Sequence, residues 1–257
     1  MNYLVVYAHP DPRSLNGALK DHAVDALRAD GHAVIVSDLY AMRFKAVADA
    51  ADFPARDPAE RLVYHRAQGE AYRAGTQSDD VRAEQEKLLW ADVVVLQFPL
   101  WWFTVPAILK GWIDRVFGHG FVIGVPRDGG GWSRYGEGRL AGRRAMLAVT
   151  TGGREEQVSP RGITGDIGEL LFHLNHGLFH YTGMAVIEPF VAYRTVRLPS
   201  EGFDALAARY VERLKAAPDS EPIRYRDENG GDYGPDGAMR DGVAASLTGL
   251  AAHLRGD

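Results

Sequence analysis

The sequence predicts an α/β fold in which helices cover both faces of a five-stranded parallel sheet. Five short apolar runs are typical of buried strands, and each is followed by a helical pattern or a long crossover. That alternation indicates a parallel sheet with helices on both sides. With 257 residues and 46% apolar content, the chain can form one such domain with a substantial extra segment.

The strand predictions follow the apolar runs in chain order. The first run, YLVVYA, is short, rich in valine and tyrosine, and bounded by a turn that contains Pro10. In the fifth run, Pro189 is predicted to mark the end of the strand. The five strands are predicted at residues 3–8, 32–37, 91–98, 144–149 and 184–193.

The helix predictions depend on caps and on one-sided apolar stripes. Ser14 is predicted to cap the first helix, and Gly31 to end it. Thr104 is predicted to cap the helix after the third strand, with Pro106 in its first turn. Further helices are predicted at residues 80–90, 164–181, 203–214 and 243–254, with residues 41–80 irregular and residues 118–142 a glycine-rich loop.

Two regions differ in composition. Residues 1–215 contain all five strands and are predicted to form the main domain. Residues 216–257 are rich in Gly, Pro and Asp, and hold too few apolar residues for a core of their own. This C-terminal tail is therefore predicted to pack on the main domain or on a dimer partner.

Composition excludes several classes of protein. The net charge of −5 argues against a broad nucleic-acid surface or an anionic-membrane surface. The absence of cysteine excludes disulfides, thiolate nucleophiles and iron–sulfur clusters. No apolar run approaches the ~20 residues that a bilayer requires, and the first residues lack a signal-peptide pattern. A cytoplasmic protein without membrane insertion is expected.

The turn after the first strand, residues 8–14, distinguishes the two common doubly wound folds. The dinucleotide version requires G-x-G-x-x-G at this point, and the sequence here is AHPDPRS. The chain also lacks a phosphate-loop, a nucleophile-elbow and an H-E-x-x-H motif. The flavodoxin-like arrangement remains, with the ligand at the carboxyl ends of the strands.

Residues 9–16 form the first of three loops that should converge at that edge. They precede a helix N-terminus, where free N–H groups and the helix dipole favour an anion such as phosphate. Arg13, Ser14 and Asn16 would add donors. The alternative is plain helix capping by Ser14.

The other two loops follow the third and fourth strands. Trp101, Trp102 and Phe103 suit stacking on a planar heterocycle, although aromatic residues more often pack in a core. In Thr150–Thr151–Gly152–Gly153, the glycines allow a ligand to approach the backbone, although glycine pairs usually just form turns. Phosphate donors, an aromatic platform and an approachable backbone at one edge together suggest a flavin nucleotide.

The chain resembles the NAD(P)H:quinone oxidoreductases of the DT-diaphorase family from about residue 3 to residue 195. The specific part is the block Q-F-P-L-x-W-F-x-V-P-A-I-L-K-G-W, which begins at Gln97. The matching segments are residues 9, 14–18, 37–42, 83–85, 97–100, 102–103, 105–112, 150–153, 162–163, 165–166 and 188–189. The resemblance implies FAD rather than FMN, and two-electron hydride transfer from NAD(P)H to a quinone. It also implies a homodimer with the active site at its interface.

Carried over by position, the resemblance implies a set of cofactor-binding residues. They are His9, Arg13, Ser14, Leu15, Asn16 and Ala18 around the FAD phosphates and ribose, then Pro99, Leu100, Trp101, Trp102, Phe103, Thr150, Thr151, Gly152, Gly153 and Val158 around the isoalloxazine. Trp102, Phe103, Gly152 and Tyr181 would line the quinone pocket.

The sequence departs from the family where protons move. Val158 and Thr164 stand where the family has a Tyr–His relay, and Phe203 stands where it has an arginine near the adenine. Arg154 and Arg161 lie in the same loop, and we interpret them as candidate catalytic cations that replace the relay. The alternative is that both are solvated surface charges.

Three histidines, His173, His176 and His180, share one face of the predicted helix over residues 164–181. A metal-binding branch of the family has a histidine pair at the last two positions, completed by a cysteine. Because this chain has no cysteine, we favour partly buried or interface histidines and predict no metal.

The leading prediction is a flavin-dependent NAD(P)H oxidoreductase that acts on quinones or similar planar acceptors by a ping-pong mechanism. The alternatives are a regulatory flavoprotein subunit of a potassium efflux system and a nitro- or azo-compound reductase.

Overall fold

The computed structural model describes residues 1–197, 199 and 202–256. Its centre is one parallel sheet of five strands in the order β2-β1-β3-β4-β5. The strands are β1 (Asn2–Tyr7), β2 (Ala33–Asp38), β3 (Val93–Pro99), β4 (Arg144–Thr150) and β5 (Ala185–Ala192). The doubly wound, flavodoxin-like fold predicted from the sequence is confirmed.

Helices cover both faces of the sheet. They are α1 (Leu15–Ala29), α2 (Tyr64–Ala74), α3 (Asp79–Trp90), α4 (Ala107–Val116), α5 (Ile167–Leu170), α6 (Phe172–Leu174) and α7 (Phe203–Ala216). Leu19 of α1 and Leu214 of α7 lie in the apolar core on one face. Leu88 of α3 and Trp112 of α4 lie in the larger core on the other face. Because β1 and β3 run through the middle, nearly all their side chains are buried.

The first helix begins as predicted. The Ser14 hydroxyl accepts a hydrogen bond from Gly17 N at 3.1 Å, which satisfies one of the free amides of the first turn. Gly31 follows the end of α1 with a φ of +81°, a conformation that costs glycine little. Both caps predicted for this helix are therefore confirmed.

Two predictions around α2 and α4 were wrong. The segment predicted to be irregular contains α2, whose buried side is Ala67, Gly69 and Ala71, too small for a clear apolar stripe. Thr104 does not cap α4, because Pro106 occupies the N-cap position. The Thr104 hydroxyl is hydrogen-bonded to His173 Nε2 at 3.0 Å instead.

The predicted helix over residues 164–181 was also wrong in its regularity. The segment consists of the short helices α5 and α6 and a π-helical segment, Asn175–His180. Pro189 does not end β5, which continues to Ala192. The pairing register shifts between Met146 and Ala148, so Pro189 lies at a bulge of an edge strand, where its missing N–H costs little.

The C-terminal tail packs on the main domain of its own chain. Ile223 N donates to Val186 O at 2.7 Å, and the Tyr225 ring is buried in the larger core. Arg134 of the glycine-rich loop forms a bidentate ion pair with Glu228. A short helix was predicted near residues 243–254, and the structure has a 3₁₀ helix there, Gly249–His253, so the prediction was right in place and wrong in extent and type. Among the described residues, no helix is long and apolar enough to cross a bilayer.

Candidate functional site

The carboxyl ends of β1, β3 and β4 bring the three predicted loops to one edge of the sheet. Four buried side chains at this edge are hydrogen-bonded in series, and we call them the buried polar chain: Tyr210, Gln97, Asn16 and Thr150. Asn16 Nδ2 donates to Thr150 Oγ1 at 2.9 Å, and Gln97 Nε2 donates to Asn16 O at 2.7 Å. The first and third loops are therefore connected directly through side chains.

The first loop is built closely around the start of α1. A Cβ at Gly17 would collide with Pro12 O, so a side chain at this position would displace the loop. His9 Nδ1 accepts from Asp11 N at 3.1 Å, and Arg13 donates to the Asp11 carboxylate. The Arg13 side chain is exposed, and its guanidinium is paired with the Asp11 carboxylate. Leu15 and Asn16 supply the other amides of the first turn of α1, the part of a helix that favours an anion.

The second loop places aromatic rings in solvent. Trp101 and Thr104 exchange two backbone hydrogen bonds of 3.1 Å across a tight turn, which we call the aromatic turn. Its central residues, Trp102 and Phe103, both have positive φ, of +47° and +62°, where a bulky side chain is strained. Trp102 is 91% exposed and Phe103 52%. Core packing, the alternative interpretation of these rings, is therefore wrong, while Pro99 and Leu100 behind them lie within the fold.

The third loop follows β4 and is held in shape by its own hydrogen bonds. Thr151 Oγ1 accepts from Gly153 N at 3.2 Å, and Thr151 O accepts from the Thr195 hydroxyl at 3.0 Å. Leu100 N donates to Thr150 O at 2.8 Å, which ties the second loop to the third. Val158 is buried, and its methyl group would lie 3.1 Å from a Cβ at Gly153, so it supports this turn from behind.

Arginines surround a cavity of about 520 Å³ beside the third loop. We call it the arginine cavity, and its lining is Gly152, Arg154, Gln157, Arg194, Val196 and Arg197. Its lining holds three arginines and no carboxylate, and within the described part of the chain none of these arginines forms an ion pair with a carboxylate. Arg161 is exposed and lies outside this lining. Such a cavity favours an anion.

Arg194 and Arg197 were not predicted as site residues from the sequence. A signal was present, because both follow β5 directly, and the carboxyl end of every parallel strand faces the same edge of the sheet. Tyr181, predicted to line the acceptor pocket, packs edge-to-face on Tyr135 at 5.0 Å. Within one chain, Tyr181 therefore lies beside the histidine cluster described next. Of the three histidines predicted on this segment, His173 is the one that is hydrogen-bonded to the aromatic turn, through Thr104.

His176 and His180 belong to a stacked aromatic cluster between the main domain and the tail. The His176 ring stacks on Phe172 at 4.6 Å and lies 5.3 Å from His180 and 5.5 Å from His253. Burial, with His180 and His253 nearby, lowers the pKa of His176 to about 4. His180 Nε2 is hydrogen-bonded to Arg226 O at 3.2 Å. Within residues 1–197, 199 and 202–256, no His, Cys, Asp or Glu group is arranged to hold a metal ion.

The free energy of unfolding is expected to decrease as the pH falls from 6.5 toward 4. An unfolded His176 titrates near 6.5 and the folded one near 4, so the unfolded chain binds an extra proton in this window, and acid favours unfolding. After a discount for partial exposure, we expect a loss of about 1–2 kcal/mol. Urea denaturation of the wild type and of His176→Phe at several pH values measures it. An unchanged pH slope in the variant would contradict the assignment to His176.

Comparisons of the sequence and of the structure with known proteins agree in indicating a flavodoxin-like oxidoreductase family. The sequence profile of the flavodoxin-like fold matches residues 1–218. The chain is 48% identical to the ribosyldihydronicotinamide dehydrogenase-like protein traD of Penicillium crustosum, over 91% of this chain and 87% of the relative. It is 37% identical to NAD(P)H dehydrogenase [quinone] 1 of Cavia porcellus, over 86% of this chain and 79% of the relative. A solved structure from Klebsiella pneumoniae, assigned as a quinone reductase, superposes with a TM-score of 0.94 at 49% identity and covers 99% of this chain and 100% of its own.

Proposed function

The chain belongs to the NAD(P)H:quinone oxidoreductase family of flavodoxin-like proteins, and we propose that it reduces quinones or similar planar acceptors with a nicotinamide donor and a bound flavin. One observation carries this function: the start of α1, the aromatic turn and the turn after β4 meet at one edge of the sheet. Together they offer an anion site, a planar apolar surface and backbone donors. A flavin nucleotide requires those three features.

The residues present fit a flavin. The amides at the start of α1, with Ser14 and His9 beside them, would hold phosphate. Trp102 and Phe103 would pack against the ring system, and Thr150 to Gly153 would face its polar edge. When bound, the isoalloxazine supplies the two-electron chemistry that takes hydride from a nicotinamide and passes it to an acceptor.

We propose FAD rather than FMN as the cofactor. FMN carries one phosphate, and the start of α1 provides one phosphate site. The arginine cavity is a second region of positive charge beside the same loops, and it suits the additional phosphate of a dinucleotide. The sequence resemblance also supports FAD, since the segment from His9 to Ala18 matches the family residues around its phosphates and ribose.

The hydride donor has two candidates. The relative with 37% identity carries the name of an NAD(P)H dehydrogenase, whereas the relative with 48% identity is named for ribosyldihydronicotinamide. The second donor lacks the adenine nucleotide, so it would need no phosphate contact. We expect either donor to leave before the acceptor enters the same pocket, which gives ping-pong kinetics.

A homodimer is part of the proposal. Trp102 and Phe103 project from the surface at strained backbone positions, and a single chain leaves them largely exposed. Exposed aromatic surface of this kind marks an interface or a ligand site. Tyr181 of a partner subunit could then complete the acceptor pocket, as the resemblance implies. A cytoplasmic location stays a prediction.

The alternatives are weaker. The relatives reported above carry enzyme names, which favours an enzyme over a regulatory subunit of a potassium efflux system. A nitro- or azo-reductase would differ only in the acceptor, and acceptor kinetics decide that question.

The proposed function predicts that the purified protein carries non-covalent FAD. Mass spectrometry of the heat-released ligand identifies the flavin, and NADH, NADPH and ribosyldihydronicotinamide are then compared as donors to a simple quinone. We expect rapid, ping-pong quinone reduction and a dimer by light scattering. FMN in place of FAD would remove the cofactor assignment, and no flavin even after reconstitution would remove the function.

Arg194→Gln with Arg197→Gln tests the dinucleotide assignment separately. These two substitutions should weaken FAD binding more than FMN binding, because only FAD carries the additional phosphate that Arg194 and Arg197 would hold. Equal losses for both flavins would contradict it.

A further inference from the structure

The buried polar chain extends beyond the three loops to α7, which packs beside α1 on the same face of the sheet. Tyr210 is 1% exposed, and its hydroxyl donates to Gln97 Oε1 at 3.0 Å. Gln97 and Asn16 are each 2% exposed and Thr150 is 8% exposed. Because unpaired polar atoms are costly in such surroundings, the orientation of each group is strongly determined by its neighbours.

The direction of donation can be assigned along the whole chain. Asn16 O is a backbone carbonyl and can only accept, so the Gln97 amide must direct Nε2 toward it and Oε1 toward Tyr210. Gln97 Nε2 also donates to Asn16 Oδ1 at 3.0 Å, which leaves Asn16 Nδ2 as the donor to Thr150 Oγ1.

The Thr150 hydroxyl therefore accepts from within the fold and keeps its own hydrogen to donate. Within residues 1–197, 199 and 202–256, that hydroxyl donates no hydrogen bond. Thr150 is the last residue of β4, at the edge where the ligand is expected. Burial raises the pKa of Tyr210, so its phenol remains a donor over the working pH range.

We propose that Tyr210 and Gln97 are positioning residues, which orient the Thr150 hydroxyl to donate a hydrogen bond to an acceptor atom of the bound flavin. This inference rests on the proposed function. Neither residue would touch the flavin. Both would act by removing the rotational freedom of a hydroxyl that would otherwise have to be ordered on binding.

The test is a double-mutant cycle on flavin affinity. Tyr210→Phe removes one hydroxyl and keeps the ring that stacks on Phe190 at 4.7 Å. Thr150→Val removes the donor with little change in shape, and Thr150→Ser restores it. Flavin-stripped protein is titrated with FAD and followed by flavin absorbance and fluorescence, and the melting temperature of each stripped variant is recorded.

We expect Tyr210→Phe to raise the Kd for FAD about 5-fold and Thr150→Val about 10-fold, the usual range for one net hydrogen bond. Thr150→Ser should stay within about 3-fold of the wild type. In the Thr150→Val background, Tyr210→Phe should have no further effect on Kd, because its influence passes through that hydroxyl.

Tyr3→Phe is the matched control. Tyr3 is fully buried, and its hydroxyl donates to Leu214 O of the same helix at 3.0 Å, outside the buried polar chain. Its loss should lower the melting temperature about as much as Tyr210→Phe while leaving the Kd for FAD unchanged.

Several outcomes would overturn the inference. One is the same loss of affinity on Tyr210→Phe in both Thr150 backgrounds, and another is an equal loss on Tyr3→Phe. If Tyr210→Phe does not fold, wild-type affinity in Thr150→Val is sufficient to reject it. A wild-type protein that binds no flavin would instead reject the proposed function, and this inference with it.

Discussion

Arg115→Met is expected to lower the free energy of unfolding by about 3–5 kcal/mol, the usual cost of removing one partner of a buried ion pair. Arg115 is 2% exposed and donates to Asp52 at 3.0 Å, to both oxygens of Asp80, and to Lys45 O at 2.7 Å. Burial alone would raise the pKa of Asp52, but bonds from Lys45, Arg115 and Tyr64 outweigh it and lower that pKa. Without the guanidinium, the buried Asp52 carboxylate loses one of its two cationic partners.

Urea denaturation measures this loss, and Arg66→Met is the control. Arg66 pairs with Glu70 on the exposed side of α2, where an ion pair contributes about 0.5 kcal/mol or less. Both substitutions remove one guanidinium from a helix and keep a long side chain. A change below about 1 kcal/mol for Arg115→Met would mean that the surrounding segment relaxes freely.

The strands could be predicted from the sequence because local pattern determines them. The runs in β1, β3 and β4 are buried on both faces, so nearly every residue is apolar and the pattern needs no knowledge of partners. The flavodoxin-like arrangement also followed, since the first turn has no glycine fingerprint, and the observed strand order is the one typical of that arrangement.

The regions that were mispredicted depend on distant partners. Arg115 is far in sequence from Asp52 and Asp80, and its ion pairs fix both ends of the segment that contains α2. That segment lacks a strong apolar stripe of its own. The segment that contains His176 has a regular pattern, yet its π-helical geometry follows from packing against the tail, with Tyr225 and His253 around that ring. Neither relation can be read from a local window.

The candidate site, like the fold, has one part that local sequence pattern determines and one part that depends on contacts between distant residues. Residue types at strand ends identified the three loops, because parallel strands place their carboxyl ends together. The chemistry assigned to single side chains was less secure. Asn16 was expected to donate to a ligand, and its side-chain amide lies between Gln97 and Thr150, hydrogen-bonded to both. Tyr210 gave no sequence signal at all. Bonds between residues more than eighty positions apart appear only after folding.

We propose that Arg154 supplies the positive charge that stabilises the reduced flavin near the turn after β4. At the two positions where the resemblance implies a Tyr–His relay, this chain has Val158, which is buried and apolar, and Thr164, which cannot titrate near neutral pH. Hydride transfer to a flavin adds negative charge, which a preorganised cation stabilises. Arg154 lines the arginine cavity with Gly152, and its guanidinium supplies a positive charge there.

Arg154→Ala is therefore expected to slow flavin reduction by the nicotinamide at least ~10-fold, a cautious value for a loop residue, since loss of a donor to developing charge typically costs ~10²-fold or more. Arg154→Lys should recover part of the rate, because it keeps the charge but not the planar fork. Arg161→Ala is the control, since that side chain lies outside the cavity and should matter less. Stopped-flow bleaching of the flavin measures each rate, with flavin content checked first.

The wild-type rate should also show no break near pH ~6.5, where a relay histidine would titrate. Equal rates in the wild type and Arg154→Ala, or a clear break at that pH, would mean that another group stabilises the charge.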